Sequence, residues 1–206
     1  MITASRLFAE RGFEAVSLRD ITRKAGANVA AVSYHFGSKE ELISAVFEDH
    51  VSPVNRQRLS NLTELEKTGE LGEGKRSYAR SLLDAFFRPL MEQVSGSQLA
   101  RGLFAKLMAR MVSERGDQLP EPVMVGFTEV ANRYVPAFCR ACPQRSEEEI
   151  LWRIHYSFGV FAHTFLHGEI LKQIAGKRVK ERGMEEEFCD LIDFCAQGFE
   201  KGGSCP

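Results

Sequence analysis

The chain has 206 residues, 44% of them hydrophobic and 27% charged, the balance of an ordinary globular protein long enough to bury a substantial core. A formal net charge of −1 excludes a globally basic nucleic-acid binder. No apolar run approaches the roughly 20 residues needed to cross a membrane, and the five cysteines, odd in number and placed within helical patterns, suggest a reduced cytoplasmic protein rather than a disulfide scaffold.

Helical periodicity runs through the whole chain, with no strand alternation, hairpin turn or internal repeat. The first helix spans Met1–Arg11 without a preceding signal peptide and stops at Gly12. Leu18–Ala25 forms the second, with Ser17 as N-cap and Asp20 closing an approximate capping box. Gly26 ends it in a left-handed turn. Asn28 caps a third helix, Val29–Phe36, which Gly37-Ser38 terminates. Ser38-Lys39-Glu40-Glu41 is a full capping box that opens a fourth helix running to about Ser52, where Pro53 kinks it or begins a new segment; Val54–Leu65 can continue it as a link to the second domain. The tight turn between the second and third helices makes a helix-turn-helix, a pair whose second helix can enter the major groove of DNA.

The stretch 67–75, with Gly69, Gly72 and Gly74, is the best linker in the chain. Beyond it, helices are expected over Tyr78–Val94, broken by Pro89, over Leu99–Glu114, and over Val123–Cys139, bent or ended by Pro136. Ser146–Glu149 is another capping box, and it opens the longest apolar helix, Ile150 to about Gly176. Gly183 precedes a last helix, Met184 to about Phe199. The fold class expected is all-α, with a helix-turn-helix DNA-binding head over residues 1–52 and a larger helical ligand-binding and dimerisation domain over residues 53–206.

Leu7-Phe8-Ala9-Glu10-Arg11-Gly12-Phe13, Ser17-Leu18-Arg19-Asp20-Ile21, Lys24-Ala25-Gly26 and Tyr34-His35-Phe36-Gly37-Ser38-Lys39-Glu40-Glu41-Leu42 strongly resemble the DNA-binding domain of the tetracycline-repressor (TetR/AcrR) family. That resemblance covers roughly the first quarter of the chain. Asn28–Phe36 looks most like the PsrA-like branch, whose members are associated with fatty-acid metabolism. Family members usually carry several residues before the first helix that help hold DNA, whereas this sequence begins almost inside that helix.

The resemblance implies base contacts from the third helix. Asn28 and Ser33 can hydrogen-bond base edges, while Val29 and Ala30 can only touch thymine methyls or exclude wrong bases. Ser33 departs from the tyrosine that many members carry. Tyr34, His35 and Lys39 resemble phosphate-positioning residues, and Ser17 and Arg19 are candidates for the opposite strand. Charge alone does not support this reading. In residues 1–52, Arg6, Arg11, Arg19, Arg23, Lys24 and Lys39 face Glu10, Glu14, Asp20, Glu40, Glu41, Glu48 and Asp49. The plain alternative is that Ser17 and Ser38 are only caps and His35 is only a packing residue.

Downstream, Phe86, Phe87, Met91, Phe104, Met108, Met111, Phe127, Phe158, Phe161 and Phe165 form an aromatic and methionine stripe. Such a stripe is ordinarily solid core, but the resemblance implies an inducer pocket here, walled by broad Phe faces and adaptable Met. Arg101, Lys106, Arg110 and His155 are candidates to meet an acidic group. The last two helices are the expected homodimer face, packed as a four-helix bundle, with Trp152, Phe188 and Phe194 as anchors and Gly159 and Ala162 allowing close approach.

His163 and His167 stand one helical turn apart without HExxH or an evident third ligand, and Cys139-Arg140-Ala141-Cys142 is a lone CxxC without a second pair. No phosphate loop, nucleophile elbow or dinucleotide fingerprint is present. Neither a cofactor nor a metal nor enzymatic activity is therefore expected. The expected function is a ligand-responsive bacterial transcriptional regulator, a repressor that binds a palindromic double-stranded DNA operator as a dimer and is released by a small apolar or fatty acyl inducer. The rival is a helical small-molecule-binding protein or enzyme without specific DNA binding, which leaves the motif over Leu18–Leu42 unexplained.

Overall fold

The computed structural model describes residues 1–68, 77–95, 98–115 and 118–200, without the side chains of Ser33, Val94, Ser95, 98–102, Ala105, Val112, 166–169 and Lys172. The helices are α1 (Ile2–Arg11), α2 (Leu18–Ala25), α3 (Val29–Phe36), α4 (Lys39–Thr68), α5 (Tyr78–Ser95), α6 (Gln98–Arg110), α7 (Glu121–Ala141), α8 (Glu147–Ala175) and α9 (Met184–Glu200). A π-helical turn, Met111–Arg115, follows α6, and a 3₁₀ turn, Gly176–Arg178, follows α8. No strand occurs among the described residues, so the all-α expectation holds.

Two compact units form. One comprises Met1–Arg56 with Glu92–Glu129, and the other Gln57–Met91 with Val130–Pro206. Residues distant in sequence thus complete the unit that carries the helix-turn-helix: Leu107, Met111 and Val123 are buried in the same cluster as Phe8, Phe13, Ile21, Leu42 and Phe47. The Phe13 ring centroid lies 5.3 Å from that of Phe8 and 5.4 Å from that of Phe47. Each of these rings is fully buried, and burying such a side chain stabilises by roughly 1.5–3 kcal/mol.

The three prolines read as possible breaks or bends are absorbed within helices. Pro53 lies inside α4, Pro89 inside α5 and Pro136 inside α7. In the second unit the reason is visible at Pro89. A proline inside a helix lacks the N–H that would reach the carbonyl four residues back, and its ring disturbs that turn. The Ala85 carbonyl instead accepts from Asn61 Nδ2 at 3.2 Å, and the Phe86 carbonyl from Arg58 Nε at 2.9 Å. Asn61 and Arg58 are three residues apart on α4, one helical turn, and so share a face. The Arg58 guanidinium is 1% exposed and sits 4.2 Å over the Phe86 ring. Burial pushes it down to about 10.

The expected helix over Leu99–Glu114 is α-helical only to Arg110 before it widens into the π turn. The predicted linker lies, from residue 69 onward, outside the described residues, as do Gly96, Ser97 and Cys205. No described helix is long and apolar enough to cross a membrane.

Candidate nucleic-acid interface

The helix-turn-helix is built by caps. Ser17 Oγ accepts the Asp20 amide at 3.1 Å, and Asp20 Oδ2 accepts the Ser17 amide at 3.1 Å and its hydroxyl at 2.6 Å. Hydrogen bonds from Ser17, aided by Arg23, hold the Asp20 carboxyl below the usual carboxylate range. Gly26 adopts φ 63° and ψ 27°, and its amide returns to the Thr22 carbonyl. A side chain at that left-handed position would be strained, so glycine sets the turn. Asn28 Oδ1 accepts the Ala30 amide at 2.9 Å and starts α3. Ser38 Oγ accepts the Glu41 amide at 3.1 Å while Glu41 Oε2 accepts the Ser38 amide at 2.8 Å, which starts α4.

Between these capped ends, α3 keeps its outer face open. Val32 and Phe36 are half-buried, whereas Val29, Ala30, Tyr34 and His35 are exposed. Tyr34 is 87% exposed, and its ring meets that of His35 edge-on at 5.6 Å. An aromatic side chain left that far in solvent contributes almost nothing to the core. Arg19 and Lys24 on α2 are exposed as well. Lys39 Nζ donates to the Glu14 carbonyl at 3.4 Å, which tethers its stem beside the start of α4.

The sequence-predicted residues are therefore distributed as follows. Ser17 and Asn28 serve as caps, Ser17 on α2 and Asn28 on α3. The Ser33 side chain lies outside the described residues. Ala25, at helical spacing from Leu18 and Ile21, is nonetheless exposed, because Gly26 turns the chain away immediately after it.

The ten stripe residues do not form one cluster. Phe86, Phe87, Met91, Phe158, Phe161 and Phe165 pack in the second unit, whereas Met108, Met111 and Phe127 pack in the core of the first, where Phe104 is also buried and faces the His50 ring at 6.2 Å. In the second unit Phe87 stacks on Phe161 at 5.3 Å, and Phe86 meets Tyr134 edge-on at 4.9 Å. Arg58, which sequence reasoning missed, is the buried cation of this cluster. Its signal was an arginine on a helix otherwise read as a link, detectable only once α4 and α5 are paired. Among the acid-binding candidates, Lys106 and His155 are exposed and Arg110 pairs with Glu114 at 2.6 Å; the Arg101 side chain lies outside the described residues.

Of the dimer anchors, Trp152 and Phe194 are exposed, the latter by 66%. Gly159 and Ala162 are exposed, and a side chain at Gly159 would meet nothing within 4 Å. Phe188 is a correction: it is fully buried in its own chain beneath the Arg88 guanidinium, 4.7 Å from its ring, and has no surface to offer a partner. It occupies the inward side of α9, while Phe194, six residues on, points out. Leu151, Tyr156, Ile170, Leu171 and Ile174 are exposed apolar residues of α8 that were not singled out. An open groove of about 980 Å³ between α8 and α9 is lined in part by Val160, Thr164, Leu171, Leu191 and Phe194, and by none of the ten stripe residues.

His163 is exposed, and the His167 side chain lies outside the described residues. Cys142 is buried, and burial pushes its thiol up, away from the reactive thiolate.

Two capped helices around a left-handed glycine, with an exposed second helix and an all-helical body, define a helix-turn-helix DNA-binding protein. A family model for bacterial regulatory proteins of the tetR family matches residues 2–46, and one for the tetracyclin repressor-like C-terminal domain matches residues 84–198. The chain belongs to the TetR family of transcriptional regulators. It is 38% identical over 88 residues to the HTH-type transcriptional repressor Rv3405c of Mycobacterium tuberculosis, covering 40% of this chain and 44% of that protein. It is 30% identical over 102 residues to the HTH-type transcriptional activator FasR of Mycolicibacterium smegmatis, covering 48% of this chain and 42% of that protein. Each alignment thus spans less than half of the relative's length. The TetR-family regulator PfmR from Thermus thermophilus shares the fold, with a TM-score of 0.54 at 16% identity over 97% of both chains.

Proposed function

We propose that this protein is a ligand-responsive repressor that works by binding rather than catalysis, with residues 1–52 as the DNA-binding head and 53–206 as the ligand-binding and dimerisation body. The observation that carries the reading is the exposed face of α3, held between two side-chain caps with Tyr34 and His35 outermost. Val29, Ala30, Asn28 and Ser33 would face base edges. Tyr34, His35, Lys39, Ser17 and Arg19 would position phosphates.

A single eight-residue helix makes few base contacts, so two copies related by a two-fold would read a palindrome with half-sites about 34 Å apart or a multiple of it. Support for a homodimer comes from the apolar surface on α8 and α9, where Trp152 stacks on Tyr156 at 5.7 Å and Phe194 stands in solvent. The inducer would be a small apolar or fatty acyl compound. The rings of Phe86, Phe87, Phe158 and Phe161 suit an acyl chain, and the buried charge of Arg58 suits a carboxylate. A ligand that prefers the DNA-incompetent conformation lowers operator affinity by the ratio of its affinities for the two states. The sign of regulation follows the repressor relative, with the activator FasR as the counter-example. Such a protein works in the cytoplasm.

Fluorescence anisotropy with DNA from the gene's own upstream region, at two salt concentrations and against a scrambled duplex, tests the reading. Selective binding that weakens with salt and is reversed by a long-chain fatty acid is expected. Binding indistinguishable from the scrambled duplex, with no palindrome recovered by selection from random DNA, would overturn it.

A further inference from the structure

The π turn at Met111–Arg115 lies outside the helix-turn-helix, yet its two charged side chains end on the segments that flank it, before α2 and at the start of α4, within the same compact unit. Glu114 Oε2 accepts the Phe13 amide at 2.7 Å, at the corner between α1 and α2. Its other oxygen accepts from Arg110 at 2.6 Å. Burial works to raise the Glu114 carboxyl, but the Phe13 amide and Arg110 outweigh it and hold it below the usual carboxylate range. Gly12 makes room for this contact: a side chain there would collide with the Glu114 carboxylate.

Arg115 takes both oxygens of Glu40, at 2.5 and 3.0 Å, lies 4.0 Å from Glu14, and sits 5.6 Å from the centre of the Phe13 ring. Glu40 stands one residue after Lys39, whose ammonium in turn reaches the Glu14 carbonyl. Two carboxylates therefore flank the lysine expected to meet a phosphate. Within the roughly 8–10 Å Debye length at physiological salt, unmasked carboxylates would repel that phosphate.

We propose that Glu114 and Arg115 are positioning residues for DNA binding: Glu114 fixes the corner before α2, and Arg115 holds Glu40 and masks its charge beside Lys39. This rests on the DNA-binding reading above. Neither residue needs to touch DNA. Arg115 acts by offsetting a charge, Glu114 by geometry, and the two therefore separate by experiment.

The test uses the full chain and a duplex selected from random DNA by the wild-type protein. If the wild type selects no sequence, it is the DNA-binding reading that fails. With that duplex, Arg115→Met should bind about three- to tenfold more weakly near 0.1 M salt, and the deficit should narrow as salt rises. The double variant Arg115→Met with Glu40→Gln should regain most of the loss, because the unmasked charge is gone. Arg115→Lys, which keeps the charge and loses the fork, should fall between Arg115→Met and the wild type and remains informative if Arg115→Met folds poorly. Glu114→Ala should weaken binding in a way that Glu40→Gln does not repair. Thermal melting of each variant separates these effects from unfolding. Wild-type affinity in Arg115→Met, or a double variant no better than the single one at equal melting temperature, would overturn the masking role. Wild-type affinity in Glu114→Ala would remove Glu114 from the proposal.

Discussion

The two compact units bury their residues in different ways. The unit containing the helix-turn-helix fully buries three phenylalanines, Phe8, Phe13 and Phe47, with aliphatic residues of α1, α2, α4, α6 and α7. Its α3 adds only half-buried Val32 and Phe36. The second unit is a dense aromatic assembly over Phe86, Phe87, Phe138, Phe158, Phe161, Phe188 and Phe199, with a guanidinium enclosed in it. The difference teaches where each unit keeps its stability. In the first, the surrounding helices carry the core and the caps carry α3, so the face of α3 is left to bind. In the second, a guanidinium is enclosed in the core itself, and any rearrangement there disturbs what holds the unit together.

That contrast can be broken most directly with Phe87→Ala. Removing a fully buried ring that packs against Phe86, Phe158 and Phe161 should cost about 3–5 kcal/mol, read as a large fall in melting temperature. A loss no greater than that of a surface substitution would show the aromatic cluster to be loosely packed. Tyr34→Ala is the opposite case. It should leave stability within about 0.5 kcal/mol while weakening operator binding roughly tenfold. Equal losses of stability and affinity would mean that α3 is part of the core after all.

Ser17→Ala removes the hydroxyl that caps α2 and should lower stability by about 1 kcal/mol, measured by denaturant titration. Asp would retain the cap, so Ser17→Asp should restore stability even where it harms DNA binding by adding charge. The smallest effect sharpens the comparison by pH. Burial pushes the His50 imidazole below its ordinary range against the pull of Asp49, with Ser5 at 3.2 Å and the Phe104 ring facing it. A depressed pKa means that the contribution is full above about 6.5 and is lost as pH falls through the folded value. Melting temperature should therefore decline between pH 7 and 5, and His50→Gln should flatten that decline. The lowered Glu40 and Glu114 carboxyls act in a separate window, since their contribution is lost only below about 4.5. An unchanged decline in His50→Gln would place the acid sensitivity elsewhere.

Local signals were legible in the chain itself. The capping boxes at Ser17, Ser38 and Ser146, the left-handed Gly26 and the stop at Gly12 each need only residues within one turn of each other, so the helices they bound appear where spacing predicts them. The family likewise rests on contiguous motifs over residues 7–42. Prolines were not legible in this way, because whether Pro53, Pro89 or Pro136 breaks a helix depends on what satisfies the freed carbonyls. At Pro89 the answer is Asn61 and Arg58, more than twenty residues away in sequence.

What the sequence by itself determined is the all-helical class, the helix-turn-helix and the periodic apolar faces, because caps, turns and hydrophobic spacing act over three or four residues. Tertiary structure alone decided that the aromatic and methionine stripe divides between two cores, that Phe188 points inward while Phe194 points out, and that Glu114 reaches Phe13 across 101 residues. Those outcomes depend on which helix faces pack together, and a helical periodicity identifies a face without naming its partner.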